Sequence, residues 1–162
     1  MDRELILRFT RLSDDSHRFE YRRPDGSGET LELESSGVIL HDLSHFAVET
    51  EAGLSGSFYG LVNRIGGYAE LSVNGGAALG GEIAVTERVV ATLAQAVRNG
   101  PLDTDAVVEQ ARADLELDGG RAPRWLTTDV VARAGQRMRE LDERWRATPV
   151  GGTMELRFPL AR

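Results

Sequence analysis

Cysteine is absent from this chain of 162 residues, and so is lysine; all nineteen basic residues are arginine. The first absence removes disulfides, iron–sulfur clusters, thiolate zinc sites and cysteine nucleophiles. The second removes Schiff-base lysines and the lysine of the standard phosphate-binding loop. No apolar run approaches the roughly eighteen residues that a membrane-spanning helix needs. The opening MDRELILRF lacks a basic region followed by an apolar stretch and a small-residue cleavage site, so no signal peptide is expected. The net charge of −7 and the pI near 5.0 disfavour nucleic acid and anionic membrane surfaces as partners. These features together point to a cytoplasmic protein. The 41% hydrophobic and 28% charged residues are those of a globular chain, and the length suits one domain over 1–162 with a single core.

Four segments alternate with a period of two. Leu5, Leu7 and Phe9 alternate with Glu4, Arg8 and Thr10, and Phe19 and Tyr21 with Arg18, Glu20 and Arg22. Leu31 and Leu33 alternate with Glu32 and Glu34; Met154, Leu156 and Phe158 alternate with Glu155 and Arg157. This is the pattern of a sheet with one buried and one wet face. The turn Pro24-Asp25-Gly26-Ser27-Gly28 predicts a hairpin between the second and third segments. The C-terminal strand must rejoin the same sheet, because a lone strand cannot cover its apolar side.

Between the strands the period becomes helical. Val85, Val89, Leu93, Ala96 and Val97 form one stripe, ended by Asn99-Gly100-Pro101. Asp103 is placed to cap a helix carrying Val107, Ala111 and Leu115, and Thr127 or Thr128 to cap a longer one running from Val130 to Trp145. The predicted class is α+β: an antiparallel sheet of about four strands, three N-terminal and one C-terminal, with three to five helices packed on one face. Residues 53–81 differ from the rest, holding nine of the eighteen glycines. They read as a flexible segment with a short helix through Phe58, Leu61, Val62 and Ile65 and a short strand from Glu70 to Val73.

The stretch His41-Asp42-Leu43-Ser44-His45-Phe46-Ala47-Val48-Glu49 carries the chemistry. On a helix over 40–52, at about 100° per residue, His41, His45, Glu49 and Asp42 share one arc and Leu40, Leu43, Phe46 and Ala47 another. Histidines at i and i+4 project from adjacent turns and can share a metal ion, with Glu49 as a third ligand one turn on. A nitrogen-and-oxygen set of this kind suits zinc first, and also iron, manganese or nickel. Other readings stand beside it. The acids can pair with the imidazoles as an ordinary polar stripe, or the histidines can act as acid and base without a metal. Val38-Ile39-Leu40 can also be a short strand with Asp42 as the helix cap, which places His41 outside the helix.

His41-Asp42-Leu43-Ser44-His45 resembles the two-histidine zinc helix of metalloproteases, H-E-x-x-H, with aspartate in place of glutamate. That resemblance implies His41 and His45 as ligands and Asp42 as the general base on metal-bound water. The aspartate is one methylene shorter than the glutamate it replaces. The longer block H-D-L-S-H-F-A-V-E is similar to one carried by a set of small uncharacterised bacterial proteins, which implies a shared feature and no particular activity.

His17 lies near the start of the second strand; it completes a three-histidine set only if that strand end lies beside residue 41, and is expected instead to be an exposed turn residue. Asn74 to Gly81 lacks the lysine and the glycine spacing of a phosphate-binding loop. Arg121-Ala122-Pro123-Arg124-Trp125 is expected to pack Trp125 over the start of the long helix. The sequence therefore predicts a divalent-metal-binding protein, zinc preferred, with metal-dependent hydrolysis as the reaction class. The rival is a non-catalytic protein-interaction or homo-oligomerisation module without metal.

Overall fold

The computed structural model describes residues 3–64, 67–73 and 81–160. The four alternating segments form strands β1 (Glu4–Arg11), β2 (Ser16–Arg22), β3 (Gly28–Glu34) and β4 (Thr153–Pro159). They make one antiparallel sheet in the order β3-β2-β1-β4. The register sets Leu7 opposite Tyr21 and Leu156, and Phe9 opposite Phe19 and Met154, so the apolar residues of three strands share one face. Leu5, Leu7, Phe9, Phe19 and Phe158 are buried. Burial of side chains this size stabilises the fold by roughly 1.5–3 kcal/mol each. The opposite face is charged, with Arg8 on Glu155 at 2.9 Å and Arg157 on Glu4 at 3.2 Å. The pairing of β1 with β4 brings the Leu160 N–H to the Arg3 carbonyl at 2.9 Å.

Six helical segments are described: α1 (Val38–Ala52), α2 (Phe58–Arg64), α3 (Tyr68–Val73), α4 (Gly81–Arg98), α5 (Thr104–Leu117) and α6 (Thr128–Ala147). Capping follows the sequence. The Asp103 carboxylate accepts the Ala106 N–H and the Thr127 hydroxyl accepts the Val130 N–H. Trp125 packs, partly buried, against the helical core. Two segments differ from expectation. Residues 70–73 lie in α3, not in a strand: among the described residues no strand pairs with them, and a helix satisfies its own backbone. Ile65, expected in the short helix, and most of the 74–81 stretch lie outside the described residues.

α1 occupies the centre. Ile39, Leu43 and Phe46 join the core over the sheet, while Ala47 and Val48 join a second core built with α4, α5 and α6. Packed from both sides, the helix is buried at every position from Asp42 to Glu49. Its ends are set by two glycines in the left-handed region, Gly37 at the N-cap with φ 74° and Gly53 at the C-cap with φ 67°. The helix therefore begins three residues before His41, and the strand-then-cap alternative for 38–42 does not occur. No helix among the described residues is long and apolar enough to cross a membrane.

Candidate functional site

The polar stripe of α1 faces inward. His45 and Glu49 have fully buried side chains, Asp42 is 3% exposed, and His41, at the open end, is 48% exposed. The unfavourable transfer of these groups from water has to be offset by hydrogen bonds or by a bound ion. α4 lies alongside α1 and supplies the partner. Ile83, Thr86, Val90 and Ala94 are buried on it, and Glu87 stands at the edge of that face with 24% of its side chain exposed.

Glu87 joins the two histidines. One carboxylate oxygen lies 2.9 Å from His45 Nε2 and the other 3.3 Å from His41 Nε2. The imidazoles stand edge to face, with centroids 4.7 Å apart. The opposite nitrogens face acids of α1 itself. His45 Nδ1 is 2.8 Å from Glu49 Oε2, and His41 Nδ1 is 3.7 Å from Asp42 Oδ1. Those acids are held in turn: Glu49 Oε1 accepts the Tyr59 N–H at 3.0 Å, and Asp42 Oδ2 accepts the Tyr68 hydroxyl at 2.6 Å. Each ring is thus backed at Nδ1 by an acid and turned at Nε2 toward one shared carboxylate.

The charges respond strongly to this arrangement. The Asp42 carboxylate and the bond to Glu87 raise His41 to about 9 against the cost of its desolvation. Burial alone would lower His45, but its bonds to Glu49 and Glu87 bring it to about 9. Burial pushes Glu87 up, yet the two imidazoles hold it well below the usual carboxylate range. Burial raises Glu49, opposed by the His45 bond and the Tyr59 amide. Such coupled groups titrate as one unit.

One ring nitrogen from each histidine and one Glu87 oxygen lie within 4.8 Å of one another. A four-coordinate zinc with bonds of about 2.0–2.1 Å holds its ligand atoms roughly 3.3 Å apart, so side-chain rotation has to draw the three donors together before they hold an ion. His41 and His45, one turn apart on α1, both direct Nε2 at the Glu87 carboxylate. Glu49 lies on the expected helix face, but its carboxylate faces His45 Nδ1, away from the shared point. The acid at the shared point is Glu87, which sequence reading did not single out. Its signal was present: Ile83, Glu87, Val90 and Ala94 recur at helical spacing, and three of the four are buried. Of the stripe read from the sequence, Val89 and Leu93 are buried core residues, while Val85, Ala96 and Val97 are only partly buried.

Asp42, expected as a base on metal-bound water, faces Tyr68 and the Nδ1 side of His41, where it can orient the ring. His17 is not the exposed turn residue expected. It is buried in the core over the sheet, with Nδ1 2.9 Å from the Ser35 hydroxyl, and its ring meets Trp145 edge-on at 5.8 Å. Desolvation lowers its pKa. It does not belong to the His41–His45–Glu87 group. No protein-family model matches the chain, and no curated protein or solved structure is significantly similar to it.

Proposed function

We propose that this chain binds one divalent metal ion, zinc first among the candidates, through His41 Nε2, His45 Nε2 and the Glu87 carboxylate. The observation that carries the reading is the shared carboxylate between two Nε2 atoms whose opposite nitrogens each face an acid. Acids at Nδ1 fix the tautomer that leaves Nε2 free to ligate, and they raise the basicity of the ring. Three protein ligands leave a fourth position, and the half-exposed edge of His41 gives water a way to it. A divalent ion held there by His41, His45 and Glu87 would lower the pKa of bound water and polarise a carbonyl or phosphoryl oxygen, which makes metal-assisted hydrolysis the reaction class. Asp42 and Glu49 serve as orienting acids in this scheme, and Glu87 takes the ligand role that spacing alone assigned to Glu49.

The second reading is a metal-free hydrogen-bonded cluster inside a non-catalytic interaction or oligomerisation module. It draws support from the firm hold of the carboxylates on both imidazole protons, with the histidines raised to about 9. Elemental analysis of protein purified without an affinity tag separates the two. Metal binding predicts about one equivalent of zinc after exposure to the ion, lost in His45→Ala and Glu87→Gln. Absence of zinc in the wild type at micromolar free ion favours the metal-free module.

A further inference from the structure

The acids behind the rings do not end the chain of contacts. Each uses its second oxygen on the segment that follows α1: Glu49 on the Tyr59 backbone N–H at 3.0 Å, Asp42 on the Tyr68 hydroxyl at 2.6 Å. Tyr59 lies in the first turn of α2 and Tyr68 opens α3. Both tyrosines are buried, and the Tyr68 ring packs on Phe19 and Phe58 with centroids 4.6 and 5.6 Å away. Phe58 in turn lies against the His45 ring at 5.3 Å. The two short helices therefore reach the histidines through carboxylates as well as through ring contacts.

The two arms are unequal. His45 is fully buried and wedged between Glu49, Glu87 and Phe58, so its ring orientation is overdetermined. His41 is 48% exposed, and exposure leaves its ring torsion free unless a partner holds it. Glu87 lies 3.3 Å from its Nε2 and the His45 ring stands beside it, and the partner at its Nδ1 is Asp42, at the ion-pair distance of 3.7 Å. Asp42 is itself held by Tyr68, a residue 26 positions further along the chain on a different helix.

We infer that Asp42 and Tyr68 are positioning residues for the proposed metal ion: the Tyr68 hydroxyl fixes Asp42, Asp42 turns His41 Nε2 toward Glu87, and the bound ion in return stabilises the docked position of α3. This rests on the metal-binding reading above. The return effect is required by linkage, because a contact that strengthens metal binding is strengthened by the metal to the same degree. α3 is then the part of the fold whose order reports the state of the site.

The test compares zinc affinity and amide hydrogen exchange in wild type, Tyr68→Phe, Asp42→Asn and His45→Ala. Tyr68→Phe keeps the ring packing and removes only the hydroxyl; Asp42→Asn keeps the shape and removes the charge. Loss of a partner behind a ligand weakens binding by about 10–100-fold, so Asp42→Asn is expected within that range and Tyr68→Phe near tenfold. Zinc is expected to slow exchange across residues 67–73 by a similar factor in the wild type and to leave it unchanged in Tyr68→Phe. A purely structural tyrosine would loosen α3 equally with and without zinc. If wild type binds zinc and His45→Ala does not, but Tyr68→Phe binds within about twofold of wild type and zinc leaves α3 exchange unaltered, the positioning role is overturned and the metal site stands. If the wild type takes up no zinc, both fall together.

Discussion

His45 Nε2 lies 2.9 Å from a carboxylate oxygen of Glu87, a residue 42 positions away on another helix. The contact joins the central buried helix to α4 and makes a shared site of what would otherwise be two isolated imidazoles. Glu87→Gln keeps the shape of the side chain and removes its charge. Zinc affinity is expected to fall by at least about a hundredfold, since neutral amide oxygen is a poor zinc ligand beside a carboxylate. Competition with a colorimetric chelator measures this, and an unchanged affinity would remove Glu87 from the ligand set.

Metal binding is expected to depend steeply on pH. Without metal, both imidazoles keep their protons until about pH 9, so the ion must displace them at neutrality. Zinc affinity should rise between pH 6 and 8 by about ten- to a hundredfold per unit, the limits for release of one or two protons. Titrations in two buffers of different ionisation enthalpy would count those protons. A flat profile would show that the ring nitrogens are not the ligands.

The metal-free protein carries a stability signature of opposite sign. The histidines have native pKa values above their unfolded value of 6.5. Their contribution is therefore fully present below about pH 6.5 and is lost as pH rises through about 9. Glu87 is depressed below its unfolded value of 4.5, so its contribution is present above that and lost in acid. Thermal melts with chelator should show a falling midpoint from pH 6.5 to 9. A midpoint that climbs over that window contradicts the assigned protonation.

Glu49 is expected to matter more for folding than its distance from solvent suggests. Its carboxylate and the His45 ring are both fully buried. Removal of Glu49 strips His45 Nδ1 of its buried partner and leaves only Glu87 at Nε2, so Glu49→Ala should cost up to roughly 3–5 kcal/mol. Urea denaturation at pH 7 measures it. A loss under about 1 kcal/mol would mean that the pair is neutral or solvated.

Gly53 closes α1 at a φ of 67°. Gly53→Ala puts a Cβ on a left-handed residue at a cost of about 1–2 kcal/mol. Among the described residues nothing lies within 4 Å of the added Cβ, so backbone conformation sets the effect. Chemical denaturation of this variant with no measurable loss would contradict the cap assignment.

Much of the fold was legible in the chain. Period-two alternation located all four strands because one sheet face is apolar and the other charged. The caps at Asp103 and Thr127 marked two helices by side-chain chemistry that acts within three residues. Local signals failed where tertiary packing decided. The glycine before Val38 was the start signal of α1, but a glycine N-cap without a side-chain bond reads in sequence as a turn. His41 and His45 were found because i, i+4 spacing is local. Glu87 was missed because its partners lie 42 and 46 positions away, and a helix carries many acids of similar appearance. Burial of the polar stripe was invisible for the same reason. A helix packed from both sides can hide polar groups that pair with one another, and only the neighbouring helices reveal it.

The most direct measurement is anomalous diffraction at the zinc edge from crystals grown or soaked with zinc. The account predicts one strong peak about 2.0–2.1 Å from the Nε2 atoms of His41 and His45 and at a similar distance from a Glu87 oxygen. A map with no peak there, with the imidazoles still bonded to Glu87, would contradict it.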